Sequence, residues 1–100
     1  MSVLVVVKVS GNTDTFQKAL ADRADEFVAI RDSAMEKGAI HHRFGIGDGY
    51  VLVIDEWETG EAFQEFFGEP KMQEFVASIG ADPAPPEITI CEAIPSPDEF

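Results

Sequence analysis

Cationic residues are scarce in this 100-residue chain. Seven lysines and arginines stand against 19 aspartates and glutamates, a formal net charge of −12. A field of that sign repels phosphates, and no basic stripe offsets it, so nucleic acid and anionic membrane surfaces are not expected partners. Cysteine is nearly absent too. Cys91 stands alone, which excludes an internal disulfide framework, and its apolar context "EITICEAI" predicts a buried, inert thiol. No apolar run reaches membrane-spanning length, and "MSVLVVVKVSG" has neither the basic start nor the cleavage site of a secretory leader. These absences predict a soluble, cytoplasmic protein. Histidine occurs only as the adjacent pair His41 and His42, tryptophan only as Trp57 and tyrosine only as Tyr50.

What the chain does have is core material: 45% hydrophobic residues, eight of them phenylalanine. That suits a single domain over residues 1–94, followed by a proline-punctuated tail at 95–100. "VLVVVKV" (Val3 to Val9) is short and β-branched, so it reads as a strand covered at least in part on both faces. Asn12, Thr13 or Thr15 can then cap a helix, along which Phe16, Leu20, Ala24, Phe27, Ile30 and Ala34 recur at helical spacing. This predicts one long helix ending at Gly38.

"AIHHRFGIG" and "YVLVIDEWE" flank Asp48-Gly49, a hairpin signal. "TGEAFQEFFGE" and "PKMQEFVASIG" predict a helix broken at Gly68 and restarted by Pro70. "EITICEAI" reads as a last strand. The order strand, helix, strand, strand, broken helix, strand predicts an α+β ferredoxin-like domain: βαββαβ, an antiparallel sheet with helices on one face. The uncovered face is expected to pair with a second copy in a homodimer.

With a two-residue turn at Asp48-Gly49, Gly47 faces Tyr50, Phe44 faces Val53, His42 faces Asp55 and Ile40 faces Trp57. Strand alternation puts Ile40, His42, Phe44, Val53, Asp55 and Trp57 on one face and His41, Arg43, Tyr50, Leu52, Ile54 and Glu56 on the other. Adjacent strand histidines therefore cannot share one ion, and a His–carboxylate pair supplies only two ligands, so no metal site is expected. His42 and Asp55 are the candidate catalytic pair: Asp55 fixes the imidazole, and His42 takes a proton from a phenol or enol. The alternative is a strand histidine bonded to an acidic neighbour for stability. Trp57, Phe63 and Phe66 are candidate walls of a substrate pocket, with Tyr50 offering a hydroxyl; helix-spaced aromatics also pack as ordinary core. "FGIGDG" lacks the following helix and lysine of a phosphate loop, and no Ser-His-Asp or Cys-His arrangement is legible.

The segment "VLVIDEWETGEAFQEFFGEPKMQEFVASIG" resembles the antibiotic biosynthesis monooxygenase-like group of the dimeric α/β barrel superfamily. The likeness rests on an apolar strand ending in Trp57, the turn "ETGEA", and an aromatic-rich helix followed by a Gly/Pro break. It implies a homodimeric barrel built from two sheets, with a small apolar pocket in each subunit. It also implies a small hydrophobic, aromatic or polyketide-like ligand, and a cofactor-independent oxygenase in which the deprotonated substrate reacts directly with oxygen. The alternative is a non-catalytic dimeric module binding a hydrophobic metabolite or a protein partner. Many members carry a histidine at the position aligned with Phe66, and haem-degrading members place their axial histidine in the region aligned with Phe75 and Val76. Both regions are apolar here, so no haem and no other cofactor is expected.

Overall fold

A computed structural model describes residues 1–100. The chain forms β1 (Val3–Ser10), α1 (Thr13–Asp22), α2 (Ala24–Glu36), β2 (Ala39–Gly47), β3 (Tyr50–Trp57), α3 (Gly60–Phe67), α4 (Pro70–Ser78) and β4 (Glu87–Glu92). The four strands make one antiparallel sheet in the order β2-β3-β1-β4, the expected ferredoxin-like arrangement. No helix is long and apolar enough to cross a membrane.

Strand alternation decides which sheet face is covered. In β1, Val5 and Val7 are wholly buried beneath the helices, whereas Leu4 and Val6 stay 42% and 38% exposed on the opposite face. The expected two-sided cover of β1 is thus one-sided within a single chain. Cys91 shares that open region beside Leu4 and is exposed, so the expected burial of its thiol is overturned.

The core lies between the sheet and α3. Val5, Val7, Trp57, Phe63 and Phe66 pack into one buried cluster. A second cluster joins Phe16 and Ala19 of α1 to Ile79 at the end of α4. The helix ends obey local chemistry. Asn12 accepts the Thr15 amide at 3.0 Å, Thr59 accepts the Ala62 amide at 3.1 Å, and Pro70 opens α4 where its missing N–H costs nothing.

Three details depart from the sequence pattern. The single long helix is two helices, broken at Arg23, whose φ of −122° leaves the helical region. No proline or glycine causes this; the side chain is held from outside the helix. Arg23 donates to Ser78 Oγ at 2.8 Å, its guanidinium lies 4.9 Å from the Phe75 ring centre, and it pairs with Glu26. The hairpin register holds from Gly47↔Tyr50 through His42↔Asp55, but a bulge follows, and Ala39 rather than Ile40 pairs with Trp57. The extra residue swings Ile40 outward and sets the smaller Ala39 against the indole. At the turn only Gly49 adopts a positive φ, 80°, so Asp48-Gly49 is a two-residue turn of the kind that needs one left-handed residue rather than two.

Candidate functional site

β3 carries the polar centre of the site. Asp55 and Trp57 sit two residues apart on the strand, so alternation aims both side chains at the helix side. Asp55 is only 8% exposed, and a buried carboxylate must be satisfied on both oxygens. It is. His42 Nδ1 lies 2.6 Å from Oδ1, and the Trp57 indole N–H donates to Oδ2 at 3.0 Å. With Asp55 as the acceptor, His42 Nδ1 is the donor, and in the neutral imidazole of that tautomer the lone pair is on Nε2. The His42 side chain is 43% exposed, and its ring stands edge-on to Phe44 at 4.5 Å.

These residues border a cavity of about 620 Å³ between the helices and the sheet, within the size range of small-molecule sites. Of its 31 lining residues, 22 are hydrophobic. Two aromatic groups bound it. Phe16, Phe27, Phe44 and Phe75 meet edge to face, with centroids 5.0–6.3 Å apart. Trp57, Phe63, Phe66 and Phe67 form the other group, with Trp57 5.5 Å from Phe66 and 5.7 Å from Phe63. His42 and Asp55 lie between the two. The mouth is marked by residues that line the cavity and are nonetheless exposed: Val28 and Met35 on α2, Ile40 and Phe44 on β2.

Of the residues singled out in the sequence, His42, Asp55, Trp57, Phe63 and Phe66 all border this cavity. Tyr50 does not. It projects from the opposite sheet face, where its ring covers the space a Cβ at Gly47 would fill, and Lys8 Nζ lies 4.4 Å from its centre. Tyr50 is therefore not a wall of this cavity; its ring lies over Gly47 instead. Phe27 reads as part of the helical core stripe in the sequence, yet it is cavity wall, as are Phe44 of β2 and Phe75 of α4. A signal existed for the mouth: Val28 and Met35 are apolar residues off the α2 stripe. No group of three His, Cys, Asp or Glu side chains gathers anywhere in the chain.

Two polar contacts, one of them an ion pair, fasten the ends of α2 to the α4 segment. At one end Arg23 holds Ser78 and Phe75 of α4; at the other Lys37 Nζ meets Glu69 Oε1 at 2.6 Å. The Arg23 pairing raises that guanidinium's pKa and lowers that of Glu26, mainly through their side-chain hydrogen bonds.

No family model matches the sequence, and no curated protein does. Solved structures match over nearly the whole chain. SnoaB, a cofactor-independent oxygenase from Streptomyces nogalater, superposes with a TM-score of 0.65 at 14% identity, covering 98% of each chain. Rv0793 from Mycobacterium tuberculosis gives 0.63 at 17% identity, covering 98% of this chain and 100% of its own. A structure described as an antibiotic biosynthesis monooxygenase gives 0.63 at 11% identity, covering 93% of this chain and 99% of its own. The chain accordingly has the fold of the antibiotic biosynthesis monooxygenase-like structures, as the segment around Trp57 suggested.

Proposed function

We propose that this protein binds a planar aromatic molecule in the cavity and removes a proton from its phenol or enol hydroxyl with His42. The observation that carries this reading is the doubly engaged Asp55: buried, bonded to Trp57 on one oxygen and to His42 on the other. A carboxylate so held fixes the imidazole ring and its tautomer, which presents Nε2 as the base. The apolar walls supply stacking surface and exclude water from the anion that forms.

As a cofactor-independent oxygenase, the protein would use that anion as the reductant. The anion passes one electron to O2, the two radicals join at a ring carbon as a peroxide anion, the proton held by His42 returns to it, and the resulting hydroperoxide loses water to leave a carbonyl. In sum, a ring CH2 and O2 become C=O and H2O. The oxygenase among the superposed structures supports the reaction class; the substrate remains defined only by the cavity's chemistry.

Leu4, Val6 and Ile54 on the open sheet face support a homodimer formed through that face.

The test uses a hydroxyanthrone as probe, with oxygen uptake and quenching of Trp57, the only tryptophan, recorded together. Wild type is expected to quench and to consume oxygen. His42→Ala is expected to keep quenching and to lose turnover by about 10²–10⁴-fold, the usual contribution of a general base. Unchanged turnover in His42→Ala removes the catalytic reading. Quenching without oxygen uptake in wild type supports the second one, a binding module in which His42 and Asp55 serve as a stabilising cross-strand pair.

A further inference from the structure

The charge around the cavity runs against that of the molecule. The chain holds 19 acidic residues, yet Asp55 is the one acid among the cavity walls, and both of its oxygens are occupied. Two of the seven cations border the same space, Arg31 from α2 and Arg43 from β2. Strand alternation separates them. Arg43 pairs with Ile54 in the hairpin, which turns its side chain toward the open sheet face, away from His42. Arg31 is then the cation on the helix side.

Its position is that of a gatepost. Val28, Arg31 and Met35 follow one another at helical spacing along the edge of α2 that overlooks the mouth. Between two exposed apolar residues stands one guanidinium, itself 58% exposed. Its present partner is Asp32, its neighbour in sequence, which accepts from Nε at 3.1 Å and Nη2 at 2.9 Å on a single oxygen. Nη1 makes no hydrogen bond. An ion pair this exposed contributes little and exchanges readily for a better acceptor. A guanidinium offers a planar fork that fits a carboxylate through two parallel bonds.

We propose that Arg31 anchors an anionic group, a carboxylate, on the outer end of the aromatic ligand whose rings occupy the cavity. The inference rests on the proposed function for the rings and adds the charge at their outer edge. In a protein of net charge −12, an anionic ligand is repelled by nearly every approach, and the approach that favours it is a mouth whose lining holds no acid but the fully engaged Asp55 and whose one helix-side arginine can exchange its exposed partner Asp32 for the ligand.

The experiment compares anthracene-2-carboxylate with anthracene-2-carboxamide, matched in shape and differing in charge, by quenching of Trp57. Wild type is expected to bind the acid about tenfold more tightly than the amide, the size of one charge-assisted hydrogen-bond contribution. The preference should shrink as salt is raised. Arg31→Gln is expected to bind both alike, Arg31→Lys to keep part of the preference, and Lys18→Gln, which makes the same change in net charge elsewhere, to keep all of it. Equal binding of acid and amide by wild type overturns the proposal and leaves the cavity reading standing. So does a preference that survives Arg31→Gln but is lost in Arg43→Gln, which would place the anion on the other sheet face. Failure of both probes to quench at all overturns the cavity reading itself, and the anchor with it.

Discussion

α2 and α3 cover the same face of the sheet in opposite ways. α3 is eight residues long and drives Phe63 and Phe66 to 2% and 6% exposure against Trp57 and the centre of β1. α2 is 13 residues long and buries none of them; Phe27, Ile30 and Ala34 face inward but stay half-buried. The difference is the cavity. Packing that an ordinary core would place under α2 is missing, and the helix is instead held at its ends, by Arg23 on Ser78 and by Lys37 on Glu69. One half of the domain is packed as core and the other encloses the cavity.

The contrast breaks most visibly under truncation. Phe63→Ala is expected to lower unfolding stability by about 3–5 kcal/mol, the range for a fully buried phenylalanine. Phe27→Ala, which removes edge-to-face contacts with Phe16, Phe44 and Phe75 beside existing empty space, should cost about 1–2 kcal/mol. Denaturant unfolding of both variants measures the gap. Equal losses would mean that α2 carries core weight after all.

Trp57 links the two halves, because its ring belongs to the α3 cluster while its N–H serves the site. Trp57→Phe keeps most of the ring and orphans one oxygen of a buried carboxylate, so a loss of about 1–3 kcal/mol is expected. Asp55→Asn in the same background should recover part of it, since a neutral amide costs less to leave short of one partner. Thermal denaturation of the single and double variants checks this. Additive losses would mean that Trp57 stabilises the fold through packing alone and that its bond to Asp55 is incidental.

Much of this was legible from residue order. Element types, strand pairing and the His42↔Asp55 register follow from period-2 and helical spacing plus one Asp-Gly turn. The misses share a cause: they depend on contacts distant in sequence. The break at Arg23 needs Ser78 and Phe75, 55 and 52 positions away along the chain. The bulge at Ile40 reflects how Ala39 fits against Trp57. Cavity and core have the same apolar spacing, because periodicity reports which face of a helix turns inward but not how far from the sheet it stops. Cys91 was misplaced for a related reason, since an apolar run on an edge strand looks buried until the sheet shows one face without cover.

The smallest effect concerns the clasp at the start of α2. Glu26 is held below the usual carboxylate range chiefly by its hydrogen bond to Arg23, an effect opposed by desolvation and assisted to a smaller extent by the guanidinium's charge. A carboxyl whose folded pKa is depressed adds stability above its unfolded pKa, and that increment disappears as pH falls through the lower, folded value. Arg23 is shifted the other way, and its contribution would be lost only at alkalinity beyond ordinary solution conditions. Both groups are solvent-exposed, so the increment is slight. Glu26→Gln should therefore melt just below wild type near neutrality and converge with it in acid. If α2 stands away from the sheet because its ends are clasped, the same variant should also loosen ligand binding near neutrality, read as faster dissociation in Trp57 quenching. A variant that melts lower yet releases its ligand at the wild-type rate would show that the clasp holds the helices together without setting the width of the cavity.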